Sequence, residues 1–308
     1  MSRNIFLFAI KLLISAALIA FLATKLDLDQ INAKLSDLRW LNIAIAGLTF
    51  MLLQMSNALR WNVVLSAIDR SYSFLMLFKV QNIGSFFNQT LPSVIGGDAL
   101  RMYTIHKSGA SLITAVNGIV LERVITVACL IFMVTLAQPF MDLPADKTIA
   151  QYIFPILSLL AILGTVVLTQ LDRFPPSMNR LKIVRGMGNL AVDAKILFTS
   201  VLNIAKSLFF GLLGNTLISL FAWQCALALG IDLSIIEALV LVPPAILIAT
   251  LPISIAGWGV REGAMVTTLS MAGIAEIDAF TMSILFGLLM AAFSIPGGIA
   301  WLLHRNKQ

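Results

Sequence analysis

Apolar runs of about 20 residues alternate with shorter polar connections along most of this chain. An α-helix needs about that length to cross the hydrocarbon of a bilayer. Outer-membrane strands would instead give segments of about ten residues that alternate apolar and polar side chains, which this chain lacks. The pattern therefore predicts six membrane-spanning helices, at 5–24, 40–59, 110–137, 152–170, 208–229 and 277–302.

Two further stretches are apolar but interrupted. Residues 74–108 carry Lys79 and four amide side chains before the motif described next, and residues 235–271 contain Pro243-Pro244 and then Pro252. We expect a double proline to break a regular helix, because neither residue has a backbone N–H to donate. Each stretch therefore predicts two short helical arms around a broken tip, a re-entrant hairpin covered by protein or water.

The two interrupted stretches share a motif. Residues 90–101 read TLPSVIGGDALR and residues 250–261 read TLPISIAGWGVR, which gives T-L-P-x-x-I-x-G-x-x-x-R in both. The alternative is that two unrelated loops happen to use the same residues. An internal repeat also fits the span count, since 1–137 and 138–308 each contain three spans and one hairpin. Three crossings is an odd number, so the second half would be inserted upside down relative to the first.

Composition places the chain among membrane proteins. It has 308 residues, of which 59% are hydrophobic and 12% are charged, whereas soluble domains carry about 25% charged residues. The fold class predicted is an all-α polytopic membrane protein, with residues 1–308 forming one transmembrane domain. Basic residues concentrate at 171–206 and at the C-terminus, which predicts that both termini are cytoplasmic, although 25–39 is more basic than an outside loop should be.

Several function classes find no support in the sequence. Cys129 and Cys225 lie in apolar spans and only two histidines are present, so we expect no metal site and no disulfide. No phosphate-binding lysine loop, HExxH motif or nucleophile elbow occurs, so we expect no cofactor and no enzymatic activity. We also expect no nucleic-acid partner.

The repeated arginines are the strongest candidates for binding a ligand. Arg101 and Arg261 each offer a planar set of donors that suits phosphate oxygens. The alternative is that each arginine pairs with its local acid, Asp98 or Glu262, and only holds its hairpin in place. The neighbouring glycines would let the backbone approach a headgroup, at Gly96, Gly97 and Gly257.

An adjacent acid and base interrupt the third predicted span. Glu122 and Arg123 must point about 100° apart on a helix, so each needs a partner elsewhere. We predict that Arg123 pairs with Asp98 and Glu122 with Arg101, in either a packing or a pathway role. Asn88 would either line a polar groove or satisfy broken backbone. Arg60, which ends the second predicted span, would either flank the cytoplasmic mouth of the pathway or, as we favour, be an ordinary interfacial residue.

These strings resemble a known family. The segments NQTLPSVIGGDALRMY, the pair Glu122-Arg123, LPISIAGWGVREGA and SIPGGIAWL are similar to the lysylphosphatidylglycerol synthase transmembrane region family. This is a flippase-like domain, also found at the membrane end of the multiple peptide resistance factor. The resemblance implies lipid translocation or lipid handling in a prokaryotic inner membrane. No soluble aminoacyl-transferase domain follows Gln308, so we expect no synthase activity on this chain.

The function expected is therefore movement of a lipid between leaflets. Its headgroup would carry an anionic phosphate held by the two arginines, as in an anionic phospholipid or a polyprenyl phosphate. Two alternatives stay open: a membrane enzyme that uses Asp98 or Glu262 as a base on a lipid-linked substrate, and a non-catalytic partner of a separate lipid-modifying enzyme.

Overall fold

The structure is a computed structural model that describes residues 35–90, 96–141, 150–173, 182–250 and 257–305. Within these ranges the chain forms ten α-helices joined by short connections. They are α1 (Trp40–Ile68), α2 (Phe74–Thr90), α3 (Gly96–Lys107), α4 (Leu112–Ala137), α5 (Ala150–Leu168), α6 (Lys182–Thr199), α7 (Val201–Ala228), α8 (Ile235–Ala249), α9 (Val260–Leu269) and α10 (Glu276–Arg305).

Four helices are long and apolar enough to cross a membrane. These segments are Trp40–Ile68, Leu112–Phe140, Val201–Ala228 and Glu276–Leu303, and each overlaps most of one predicted span. The span predicted at 152–170 forms α5, whose apolar part is shorter. The span predicted at 5–24 lies outside the described residues. The all-helical prediction is confirmed for the described chain, which fits a polytopic membrane protein.

Both interrupted stretches form a pair of helices, as the sequence predicts. The first gives α2 and α3, and the second gives α8 and α9. The segments between them, 91–95 and 251–256, lie outside the described residues. Each stretch therefore contains two helices in contact, and we call these pairs the first hairpin (α2 and α3) and the second hairpin (α8 and α9).

The double proline does not end its helix, contrary to the expectation above. α8 runs through Pro243 and Pro244 and ends at Ala249, just before the repeated motif. Proline has a φ that suits a helix, but it deprives the carbonyls of residues 239 and 240 of their helical donors and its ring crowds them. Pro243 and its neighbours are buried against other helices, and membrane proteins tolerate proline in such protein-covered positions.

The core joins the two sequence halves rather than separating them. The most extensive contact is between α1 and α7, followed by the contact of α10 with α2. The ring centre of Phe50 on α1 lies 6.2 Å from that of Phe221 on α7. The ring centre of Phe221 lies 5.2 Å from that of Phe286 on α10. Helices from both halves therefore enclose one interior.

Small residues bring α10 onto α2. A Cβ at Gly297 would overlap the Asn82 carbonyl, and one at Gly298 would press on the Phe86 ring. The SIPGG string near the C-terminus is thus a packing surface for α2, the first arm of the first hairpin. Through it, α10 fixes one wall of the cavity described next.

Candidate functional site

A cavity of about 470 Å³ lies between the two halves of the chain. Seven helices contribute to its described walls: α1, α2, α3, α4, α7, α8 and α10. One part of the wall is charged or amide-bearing, and another is apolar, formed by residues such as Leu130, Ile218, Ile246, Leu247 and Met290. A volume in the range of ordinary ligand sites, about 300–1,000 Å³, combines here with an amphipathic lining.

Five charged side chains form a connected cluster on the polar wall, which we call the charge cluster. They are Arg60, Asp98, Arg101, Glu122 and Arg123, and all five line the cavity. Glu122 binds Arg60 at 2.6 Å and Arg101 at 3.3 Å, while Asp98 binds Arg101 at 3.1 Å and Arg123 at 2.7 Å. Three guanidinium groups against two carboxylates leave one positive charge.

The helix geometry of α4 explains why the cluster branches. Glu122 and Arg123 are consecutive, so their side chains diverge and reach different partners. Glu122 turns to Arg60 on α1 and to Arg101 on α3, and Arg123 turns to Asp98 on α3. Both pairings predicted from the sequence are confirmed. Each hairpin arginine also pairs with its local acid, as the structural alternative for Arg101 and Arg261 requires.

Arg101 is the incompletely satisfied member of the charge cluster. It is 3% exposed, and its Nη1 group makes both of its ion pairs. Its Nε and Nη2 groups are buried with no hydrogen-bond acceptor among the described residues. The guanidinium carbon lies 4.1 Å from the centre of the Trp61 ring, which supports one face of the group. A buried charged donor without an acceptor is costly, about 1–3 kcal/mol or more.

The first hairpin holds Arg101 through close helix contact. A Cβ at Gly97 would overlap the Gly84 carbonyl, so α3 approaches α2 as closely as only glycine allows. The Gly97 N–H donates to Asn88 Oδ1 at 2.8 Å. Asn88 therefore satisfies interrupted backbone and also lines the cavity, the two roles that the sequence left open. Gly96 and Gly97 are not among the lining residues, and Gly97 faces α2.

The second hairpin builds a different arginine site. Arg261 donates from Nη2 to Glu262 Oε1 at 2.6 Å and from Nε to the same oxygen at 3.1 Å. Its guanidinium carbon lies 4.7 Å from the Trp258 ring and 5.5 Å from the Phe286 ring, and Ser283 is within hydrogen-bond distance of Nε. The group is enclosed on each of these sides.

Glu262 is fully buried and ties this site to the start of α9. Its second carboxylate oxygen accepts from the Gly259 N–H, which caps the helix. Gly257 has a φ of +81°, a backbone conformation that favours glycine, and lies against Ala249 at the end of α8. Gly257 thus closes the hairpin backbone and lies outside the lining of the cavity.

The sequence led us to expect that the two arginines face one pocket, and the described residues are arranged otherwise. Arg261, Glu262 and Gly257 are absent from the described lining of the cavity. The side-chain partners of Arg261 belong to the second hairpin and to α10, and none of them lines the cavity. Five of the ten predicted site residues do line it: Asn88, Asp98, Arg101, Glu122 and Arg123.

Sequence reasoning missed part of this site. Arg60 was interpreted as interfacial, but α1 continues eight residues further to Ile68, and the side chain is 4% exposed and bound to Glu122. The interfacial interpretation is therefore wrong. The available signal was Asn57-x-x-Arg60, a polar pair at helical spacing within one apolar run. Amide side chains on three other positions of the wall were also missed: Gln54, Gln81 and Asn215.

A comparison with protein families returns one match. The sequence profile described as "Lysylphosphatidylglycerol synthase TM region" matches residues 8–298, nearly the whole chain. No curated protein matches the chain significantly.

Proposed function

Because the chain belongs to the lysylphosphatidylglycerol synthase TM region family, we propose that it carries a lipid with an anionic phosphate headgroup between the leaflets of a prokaryotic inner membrane. The chain is a membrane protein of a family related to lipid handling. In this proposed function the protein binds and moves the lipid without changing it covalently.

The observation that carries the proposal is the unsatisfied guanidinium of Arg101. Two buried N–H groups on a lasting positive charge lack acceptors among the described residues, in a side chain that lines the cavity. Phosphate oxygens are acceptors of the right geometry for adjacent guanidinium donors. Binding of a phosphate would therefore relieve a cost that the ligand-free protein bears.

The charge balance supports a ligand with one negative charge. The charge cluster has a net charge of +1, from three arginines and two carboxylates, and no other charged side chain is in the described lining. Uncompensated charge is expensive in a water-poor interior. A phosphodiester, which carries one negative charge, would neutralise the cluster.

The shape of the lining supports a lipid rather than a free anion. Besides the charge cluster, the described lining has seven apolar side chains, four of which come from α7, α8 and α10. A phospholipid has the same division, with its charged group joined directly to apolar chains. We propose that the headgroup lies at the charge cluster and that the first carbons of the chains follow the apolar wall.

Transport would use the two halves as inverted repeats. In such transporters, broken helices from each half meet near the middle of the membrane, and one half moves against the other. Thr90 and Thr250 begin the two motifs, and both are exposed. We expect Thr90→Cys and Thr250→Cys to react with a membrane-impermeant maleimide from opposite sides. Labelling of both from the same side would contradict the inverted arrangement.

The enzyme alternative is less well supported by the contacts. A general base must be free to accept a proton, but Asp98 is bound to Arg101 and Arg123, and Glu262 is bound to Arg261. Both oxygens of each carboxylate already accept hydrogen bonds within the protein, so neither is free to face a substrate. We therefore propose a carrier and not a catalyst, and propose Arg261 as a structural pin of its hairpin.

Leaflet exchange in proteoliposomes tests the proposed function. Purified wild-type protein should accelerate exchange of a fluorescent phosphatidylglycerol over empty liposomes, and Arg101→Gln should abolish the acceleration. Arg70→Gln is the control, since Arg70 is exposed and outside the cavity. Exchange by Arg101→Gln at the wild-type rate would refute the role of Arg101. Exchange that appears only after a lipid-modifying enzyme is added would favour the partner alternative.

A further inference from the structure

Beside the charge cluster, the cavity wall is made of carboxamide side chains. Gln54 and Asn57 come from α1, Gln81, Asn88 and Gln89 from α2, and Asn215 from α7. Such a concentration of amides in an apolar interior is unusual, because each amide brings a donor and an acceptor that need partners. We call these six residues the amide wall.

Three groups of the amide wall are buried without partners. Gln54 Nε2, Gln81 Oε1 and Gln89 Oε1 make no hydrogen bond to a described residue. Gln54 and Gln81 are 3% and 9% exposed, so bulk water does not surround them. Leaving such groups unsatisfied opposes folding by about 1–3 kcal/mol each. A ligand that satisfies them would offset this cost.

The unsatisfied groups include both donors and acceptors. A hydroxyl can donate to an amide oxygen and accept from an amide nitrogen, so it suits the amide wall whichever way each amide is turned. An ammonium group can only donate, and it leaves the nitrogen of an amide such as Gln54 without an acceptor. The wall therefore matches hydroxyl groups better than cationic ones.

The described lining also offers an ammonium ion no carboxylate that is not already paired. Its two carboxylates are each bound by two arginines, Asp98 by Arg101 and Arg123, and Glu122 by Arg60 and Arg101. None of the described lining residues is aromatic, so no ring face is available for a cation. The net positive charge of the cluster adds repulsion.

We infer that the cavity selects phosphodiester lipids whose headgroup is an uncharged polyol, such as glycerol or a sugar, over lipids whose headgroup carries an ammonium group. The inference rests on the proposed function, since it assigns the phosphate to the charge cluster and the polyol to the amide wall. It differs from what the family's name suggests, because a lysyl headgroup is cationic.

Four lipids with identical acyl chains separate the contributions. Phosphatidylglycerol and phosphatidylethanol are both singly charged phosphodiesters, and only the first has free headgroup hydroxyls. Phosphatidylethanolamine replaces them by an ammonium, and phosphatidylinositol supplies a cyclic, sugar-like polyol. Binding is measured by native mass spectrometry of the full-length wild-type protein in detergent, with each lipid added in competition with phosphatidylethanol.

We expect phosphatidylglycerol or phosphatidylinositol, or both, to bind about tenfold more tightly than phosphatidylethanol, the effect of roughly one good hydrogen bond. The order of those two identifies an open or a cyclic polyol. Phosphatidylethanolamine should bind more weakly than phosphatidylethanol. Equal binding of all four would overturn this inference but not the proposed function, whereas no binding of any would overturn both.

Variants then assign the preference to the amide wall. Gln54→Leu and Gln81→Leu should each reduce the preference for the polyol lipid over phosphatidylethanol to about threefold or less, since a hydrogen-bonding partner is lost. Gln224→Leu is the matched control, because Gln224 is also a buried glutamine with an unpaired Oε1 but does not line the cavity. A preference unchanged in both Gln54→Leu and Gln81→Leu, with folding verified by thermal melting, would overturn the assignment.

Discussion

Arg101 and Arg261 end the same repeated motif, yet their side chains lie in different surroundings. Arg101 shares two carboxylates with two other arginines, lines a cavity and keeps two buried N–H groups without acceptors. Arg261 has one carboxylate to itself and is enclosed by Trp258 and Phe286. Arg101 therefore borders the described cavity, whereas Arg261 is enclosed by its own ion pair and two aromatic rings.

The difference comes from the acid that accompanies each arginine. Asp98 lies one turn before Arg101 on α3, and its short side chain reaches only one nitrogen, which leaves the rest of the guanidinium unused. Glu262 follows Arg261 directly, and one of its oxygens accepts from two nitrogens. The same motif position can therefore hold an arginine in two different surroundings.

Removal of the central carboxylate should have the largest effect. Glu122→Gln leaves both Arg60 and Arg101 short of a buried partner, and breaking a buried pair costs about 3–5 kcal/mol. Glu262→Gln removes the partner of only one arginine, so we expect a smaller loss of stability. Thermal unfolding in detergent measures both. A larger loss of thermal stability in Glu262→Gln than in Glu122→Gln would contradict the expectation that Glu122 contributes more to stability than Glu262.

Loss of Arg261 should lower stability more than loss of Arg101, whereas loss of Arg101 should lower transport more. Arg261→Gln leaves the fully buried Glu262 without its cation, at a cost of about 3–5 kcal/mol. Arg101→Gln should cost less, because Asp98 keeps Arg123 and Glu122 keeps Arg60. The double variant Arg261→Met with Glu262→Gln should recover most of the lost stability. If the double variant stays as unstable as Arg261→Gln, the loss of stability does not come from the unpaired charge of Glu262.

Glycines that touch the two arginines allow a steric version of the same comparison. A Cβ at Gly287 would overlap the guanidinium of Arg261, whereas one at Gly84 would press on the flexible carbons of Arg101. We expect Gly287→Ala to lower stability by about 1–3 kcal/mol, the usual effect of overpacking. Gly84→Ala should lower it less but reduce leaflet exchange. Equal effects of Gly287→Ala and Gly84→Ala on stability and on leaflet exchange would contradict the proposed difference between the two arginine sites.

The smallest effect is expected at the edge of the charge cluster. The Arg123 side chain is 40% exposed, unlike those of Arg60 and Arg101. Arg123→Gln should therefore change stability by only about 0–1 kcal/mol, as for other accessible ion pairs. The same unfolding measurement tests this, and a loss comparable to that of Glu122→Gln would mean that Arg123 acts as a buried member.

Sequence patterns predicted the helices and much of the cluster for physical reasons. Apolar run length fixes where long helices lie, and the adjacency of Glu122 and Arg123 forces them to seek separate partners. The burial of Arg60 was missed because an apolar run is normally taken to end where it meets an arginine. Here α1 continues beyond Arg60, and the side chain is buried. The predicted helix break at Pro243 does not occur, because a helix buried among other helices tolerates a proline that would break an isolated helix. The closure around Arg261 depends on rings from Trp258 and on α10, which no local pattern reveals.

Binding of phosphatidylglycerol to purified protein tests the central claim most directly, since it separates ligand contact from transport. Native mass spectrometry in detergent would compare wild type, Arg101→Gln and the exposed control Arg70→Gln. We predict equal affinities for wild type and Arg70→Gln, and an affinity at least about tenfold weaker for Arg101→Gln, since hydrogen bonds to charged groups contribute about 1.5–3 kcal/mol. A folded Arg101→Gln protein that binds the lipid as tightly as wild type would contradict the account.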